Sequence, residues 1–289
     1  MSNAAVGSTS EIQRLETVPT AFIEAAGTTF AYRTLGTPNG TPLVLLQHFT
    51  GHMDSWDPAV VNALAKDRLV VVFDNAGVGQ SSGRTPDNVA QMAEDAEHFM
   101  AALGMSTVDL LGFSLGGCVV QQLATTYPGR VRRTVLVGTA PQGGEEHLLA
   151  VVDEARAHKE ASDIRLPLFF TPSQASQDAG RAFLTRASAR TADRDHDNAD
   201  SIAEPQAKAL ITWCATKDPE HSILRRIEQP VLVVCGSDDT MLPDRNAYFM
   251  FKHLKNAQLV LYPDSGHGAL FQYHDLFVSH VSLFLRDGA

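Results

Sequence analysis

The stretch Val108-Asp109-Leu110-Leu111-Gly112-Phe113-Ser114-Leu115-Gly116 leads from an apolar run into a long small-and-apolar segment, Gly117 to Tyr127. It reads as a strand that turns through one serine into a helix. So sharp a turn holds the serine in a strained, positive-φ conformation and carries the helix close across its own strand. Side chains two positions to either side would then collide, and glycine at 112 and 116 removes both obstacles. The serine oxygen projects above the sheet edge. The amide of Leu115, at the positive end of the new helix, points at the place where a carbonyl oxygen would gather charge. Ser114 and Leu115 are thus a candidate nucleophile and a candidate oxyanion donor, half of an acyl-transfer site.

A lone G-x-S-x-G is a weak signal, because Gly and Ser are common here. The other half decides it. In this type of sheet the serine is followed in chain order by an acid and then a histidine, each on the loop after a later strand. Pro230-Val231-Leu232-Val233-Val234-Cys235 reads as a fully buried strand opening into Gly236-Ser237-Asp238-Asp239-Thr240-Met241-Leu242-Pro243. Gln258-Leu259-Val260-Leu261-Tyr262 makes another, followed by Pro263-Asp264-Ser265-Gly266-His267-Gly268. Strand geometry alone does not separate Asp238 from Asp239, and either could be a turn acid bonding nearby amides.

With these motifs together the chain resembles an α/β-hydrolase-fold enzyme over about residues 20 to 140 and 228 to 286. The resemblance implies a mostly parallel, doubly covered α/β sheet with an inserted helical cap. In that family the acid lies in a G-x-x-D-x-x-x-P pattern, here Gly236, Asp239 and Pro243, so the resemblance favours Asp239 over Asp238. It likewise implies His267, within S-G-H-G, as the catalytic histidine. The second oxyanion donor comes from the loop after the third strand, Leu43-Val44-Leu45-Leu46, which reads Gln47-His48-Phe49-Thr50-Gly51-His52. Gln47-His48 stands where the family carries His-Gly, and the implied donor is the Phe49 amide, with its ring lining the acyl pocket. After the fourth strand, Leu69-Val70-Val71-Val72-Phe73, the family pattern D-x-R-G-x-G-x-S is met by Asp74 to Ser81 with Ala76 in place of the arginine.

Three other readings of these residues fail. His48 and His52, four apart with Asp54 and Asp57 nearby, lack the helix and the intervening glutamate of a zincin pair, so no metal site is expected. The glycines after Asp74 miss a dinucleotide fingerprint, whose third glycine would fall at Ser82. Asp193 to Glu204 spaces acids as a calcium loop does, but the glycine position is Asn198 and the apolar one is Asp200. This stretch is expected to be a solvated acidic loop with Arg190 and Arg194 as counterions.

The chain has 289 residues, 44% hydrophobic and 19% charged, enough for one α/β core plus an insertion. A net charge of −10 argues against nucleic acid, whose phosphates are met by clustered Lys and Arg. Cys118, Cys214 and Cys235 are widely spaced and read as reduced, buried residues, which fits a cytoplasmic enzyme. The first 17 residues carry neither a basic start nor an apolar core and are expected to form a flexible tail. No run reaches the ~20 apolar residues of a membrane span.

Phe22 to Ala26 and Thr29 to Thr34 read as an opening hairpin around Gly27, after which strands and helices alternate. The strand Arg133-Thr134-Val135-Leu136-Val137-Gly138 is followed by about 90 residues before the next, and a connection that long is structured or functional. The expected organisation is a tail, 1–17, a core, 18–140 and 228–289, and a helical cap, 141–227, with helices around 145–160, 174–190 and 201–227. Phe113, Trp56, Phe169 and Trp213 are candidates for an apolar substrate pocket.

The resulting expectation is a serine hydrolase that uses Ser114, His267 and Asp239, needs no cofactor, and acts on an ester or lactone of a small, largely apolar molecule. Within the fold, enol-lactonases, cofactor-free haloperoxidases (perhydrolases) and C–C bond hydrolases share such a triad. A low-turnover ligand receptor that keeps it is the reading from another class. The sequence assigns no oligomeric state.

Overall fold

A computed structural model describes residues 13–157, 163–196 and 199–286. In chain order they form β1 (Ala21–Ala25), β2 (Thr28–Leu35), β3 (Leu43–Leu46), a short 3-10 turn (Met53–Ser55), α1 (Pro58–Leu64), β4 (Val70–Phe73), α2 (Val89–Ala102), β5 (Val108–Phe113), α3 (Leu115–Thr126) and β6 (Val131–Val137). A helical insertion follows, with α4 (Leu148–Ala157), α5 (Arg165–Phe169), α6 (Gln174–Ala187), α7 (Ala199–Ala215) and α8 (Ser222–Arg226). The chain then returns through β7 (Val231–Gly236), α9 (Asp244–His253), β8 (Ala257–Tyr262), α10 (Ala269–Gln272) and α11 (His274–Phe284).

The strands form one sheet in the order β1-β2-β4-β3-β5-β6-β7-β8. The β1–β2 and β2–β4 pairs are antiparallel, and all others are parallel. Ala26 and Gly27, with φ of 49° and 83°, make the two-residue left-handed turn that matches the twist of a hairpin. Packed helices flank the sheet, α1 against α11 and α2 against α3. Coverage of both faces explains why β3, β4, β5 and β7 are buried along their whole lengths and are apolar apart from Asp109 of β5, which pairs with Arg132 at 2.6 Å. Phe99 of α2 stacks on Phe73 of β4 with ring centroids 4.4 Å apart.

The insertion is helical, but its third expected helix is divided. His221 holds φ 53°, and the Asp218 carboxylate caps a fresh start by accepting from Ile223 N (3.1 Å) and Ser222 Oγ (2.9 Å). α5, which carries Phe169, was not among the expected helices.

Two expectations for irregular segments are corrected. Residues 13–17, assigned to a flexible tail, are held: Leu15 is buried, and its amide donates to Asn62 Oδ1 (2.7 Å). Arg190 clamps the same segment by donating to the carbonyls of Leu15 and Val18, both at 2.9 Å. Residues 1–12 lie outside the described set. In the acidic stretch 193–196 the correction concerns one residue: Asp193, Arg194 and His196 are exposed as expected and Arg190 pairs with Asp193 at 3.1 Å, but Asp195 is buried against the core. Its amide donates to Asp54 Oδ2 (2.7 Å), and its carboxylate lies 3.4 Å from the fully buried Arg33, which also pairs with Asp54 at 2.5 Å. A buried guanidinium needs such partners, and Arg33 thereby ties the helical insertion to the sheet. Asp197 and Asn198 lie outside the described residues.

Candidate active site

β5 lies near the middle of the sheet, and the chain leaves it through Ser114 at φ 56°, ψ −120°. The crowding that glycine relieves there is specific. A Cβ on Gly112 would sit 2.4 Å from the Gly116 carbonyl oxygen, and one on Gly116 would sit 2.3 Å from that of Leu46. α3 therefore crosses both its own strand and the end of β3. Leu115 is its first residue, so its amide is among those without an intrahelical acceptor.

The acid and the histidine meet because β7 and β8 are neighbouring parallel strands, with Gly236 opposite Tyr262. The loops that leave them are stitched together by Ser237 N donating to Tyr262 O (2.8 Å) and Asp238 N donating to Ser265 O (2.9 Å). This register turns Asp238 outward, where its carboxylate accepts from Ser237 Oγ, and turns Asp239 inward. Asp239 Oδ1 accepts the amides of Met241 (2.9 Å) and Leu242 (3.0 Å), and Oδ2 lies 2.7 Å from His267 Nδ1. A carboxylate can only accept at neutral pH, so Nδ1 carries the proton and Nε2 is the basic nitrogen. Nε2 is buried and has no hydrogen-bond partner among the described residues. The ring packs on Phe113, the residue before Ser114, at 5.0 Å between centroids.

The site is roofed. Ser114 is 1% and His267 2% exposed. Phe169, at the end of α5, packs on His267 (5.6 Å), Phe113 (5.8 Å) and His48 (5.3 Å). The glycines beside His267 serve this contact: Gly268 N donates to Phe169 O at 2.9 Å, and a Cβ on Gly266 or Gly268 would strike Phe169. A groove of about 980 Å³ between α5 and the β7 and β8 loops has Leu166, Phe170, Thr240 and Gly266 in its lining. Neither this groove nor a second cleft, of about 910 Å³ between residues 83–95 and α7, has Ser114 or His267 in its lining.

The candidate pocket residues separate into two groups. Phe113, Phe169 and Trp56 lie in one aromatic cluster with His267, Trp56 at 6.5 Å from Phe113. Trp213 instead donates its indole N–H to Ala140 O (3.1 Å), fastening α7 to the loop after β6. Phe271 and His48 join the cluster without having been singled out for it: Phe271 is 5.5 Å from Phe113, and His48 is 5.2 Å from it. The position of Phe271 four residues after His267, at a helix start, was the available signal.

In the loop after β3, His48 N donates to Gln47 Oε1 (2.9 Å) and Thr50 N to Gln206 Oε1 (2.6 Å), so the Phe49 amide lies between two that are taken. His48 Nδ1 donates to Phe49 O at 2.7 Å. Burial, reinforced by the neighbouring His267 and Arg165 and only partly opposed by that bond, lowers the His48 pKa to about 3. His48 is therefore neutral at ordinary pH.

His52, Asp54 and Asp195 bring ligand atoms within 4.8 Å of one another, a set that could hold a cation. The Arg33 guanidinium already stands there, paired with both carboxylates. Burial raises the Asp195 pKa, but the His52 hydrogen bond, Arg33 and Gln80 outweigh it and hold the carboxyl at about 2. Asp74 accepts from Met53 N (2.8 Å) and Gln80 N (3.0 Å), so the segment misreadable as a nucleotide loop is wrapped around this carboxylate.

Comparison with known proteins agrees with this fold. Residues 41–272 match the model of the alpha/beta hydrolase fold family. The chain is 28% identical to a proline iminopeptidase of Pestalotiopsis fici, over 92% of this chain and 99% of that one. It is 30% identical to a pimeloyl-[acyl-carrier protein] methyl ester esterase of Nitrosomonas europaea, over 84% and 95%. Among solved structures, an alpha/beta hydrolase fold protein from Chitinophaga pinensis superposes with a TM-score of 0.88 at 44% identity, covering 96% of this chain and all of that one. The chain belongs to the alpha/beta hydrolase fold family and is a hydrolase.

Proposed function

We propose that this hydrolase cleaves a carboxylic ester or lactone of a small, largely apolar substrate through an acyl-enzyme on Ser114. The observation that carries the reading is the Asp239–His267 pair at 2.7 Å, whose imidazole packs on Phe113, the residue before the strained Ser114. In this mechanism His267 Nε2 takes the Ser114 proton as Oγ bonds to the carbonyl carbon. The carbonyl π pair becomes an oxyanion between the amides of Phe49 and Leu115, and collapse expels the alkoxide, which takes the proton from His267. Water then repeats the sequence and frees the acid. Asp239 fixes the tautomer and stabilises the imidazolium. Residues 141–227 act as a cap, and the aromatic walls Phe113, Phe169 and Phe271 favour an apolar acyl group. The methyl esterase relative is consistent with ester chemistry.

The test is Ser114→Ala assayed on p-nitrophenyl esters of graded chain length and on lactones. Turnover is expected to fall by roughly 10³ to 10⁶ with the fold retained. Undiminished turnover would remove Ser114 from the role.

A further inference from the structure

Thr50 directly follows the proposed oxyanion donor Phe49 and holds φ 58°, a left-handed conformation that β-branched residues avoid. Such strain persists only where the surroundings over-determine it. Part of the constraint is local, in the turn closed by Gly51 N donating to His48 O (3.0 Å), and part comes from the cap. Thr50 N donates to Oε1 of Gln206, 2.6 Å away on α7, and Gln206 is 1% exposed. A second tie lies just beyond, where Asp54 N donates to Asp195 Oδ2 (3.2 Å) and Asp195 N returns a bond to Asp54 Oδ2 (2.7 Å). The loop that carries Phe49 is therefore gripped at residues 50 and 54 by the segment that enters and forms α7.

From this we infer that Gln206 is a positioning residue for the oxyanion hole. By holding Thr50 in the left-handed region it sets the plane of the Phe49–Thr50 peptide and the direction of the adjoining Phe49 N–H. The inference rests on the acyl-transfer reading above and extends it: the cap roofs the substrate and also holds one of the two oxyanion donors in place. An oxyanion donor acts on the transition state, so its misplacement lowers kcat and leaves ground-state binding almost untouched.

Gln206→Met keeps the length and apolar bulk and removes the acceptor. The readouts are kcat and KM on p-nitrophenyl butyrate and the affinity of an alkyl trifluoromethyl ketone. With that ketone, Ser114 Oγ bonds to the carbonyl carbon, the π pair becomes an oxyanion and His267 takes the proton. Expected is a fall in kcat of about 10- to 100-fold, a KM within about threefold of the parent, and a parallel loss of ketone affinity. Adding Thr50→Gly should recover most of both, because glycine adopts this φ without strain. Gln206→Asn, which withdraws the amide by one methylene, is read in the same way and serves if the methionine variant does not fold. Unchanged kcat and ketone affinity, or losses that Thr50→Gly does not recover, overturn the inference. Ser114→Ala is run alongside. If it abolishes turnover while the Gln206 variants are silent, the acyl-transfer reading stands and this one falls; if it is fully active, both fall.

Discussion

Asp238 and Asp239 are chemically identical neighbours, and only one of them reaches an imidazole. The difference comes from a backbone bond, Asp238 N to Ser265 O, which sets the rotation of the loop. Asp239 then accepts two amides on Oδ1 and faces His267 Nδ1 with Oδ2, while Asp238 stays at the surface. If Asp239 orients His267 as proposed, Asp239→Asn keeps the shape but permits the wrong tautomer, and kcat should drop by about 10⁴. Asp238→Asn should change kcat little, and both variants should be measured for turnover and melting temperature in one buffer. The opposite ranking would reassign the acid. The residue pattern alone left the pair unresolved, since either carboxylate could be presented by a turn of this length. His48 was harder still to read: its neutrality and its place among Phe113 and Phe169 come from burial by α5, which lies far away in the chain.

At the scale of elements, the passage from β5 to α3 is the most tightly constrained part of the fold. Gly116 is packed against the backbone of Leu46 and Gln47, so a methyl group there must displace either α3 or the loop that carries Phe49. Backbone yields less readily than a side chain. Gly116→Ala is expected to lose about 1 to 3 kcal/mol of stability and to lower kcat as well. Gly129→Ala, where an added Cβ meets nothing within 4 Å, should stay within about 0.5 kcal/mol. Urea midpoints of the two variants, with ester turnover, check the contrast. Equal effects would mean that the elbow is not crowded.

For the whole molecule, stability should depend on pH through groups the fold has buried. His48 in the unfolded chain takes a proton near its ordinary 6.5, but in the folded protein only near 3. Between those values unfolding is accompanied by proton uptake. Stability therefore falls as pH drops from about 6.5 towards 3, by up to about 1.4 kcal/mol per unit from this group, which contributes no slope at higher pH. Asp195 acts in the same direction lower down: held at about 2 against an ordinary 3.8, it stabilises the fold above 3.8 and loses that contribution as pH falls towards 2. Denaturant unfolding of the parent and of His48→Phe from pH 7 to 4 tests the first effect. The variant should have the flatter profile, and identical slopes would exclude His48 as the source.

The strands and the glycine-flanked serine turn were legible in the sequence, because each depends on neighbours within a few residues. A buried parallel strand must be apolar on both faces, and a crowded turn must have glycine where backbones approach. Among the described residues, no helix is long and apolar enough to cross a membrane, as the hydropathy of the chain implies. What the sequence did not reveal depends on contacts between distant segments. Leu15 and Val18 are held by Arg190, Asp195 is drawn to Arg33, and Thr50 is fixed by Gln206. Asp195 lies in an acidic, polar stretch that looks solvated when read alone; only the tertiary fold supplies the buried guanidinium that makes the burial of this one carboxylate favourable.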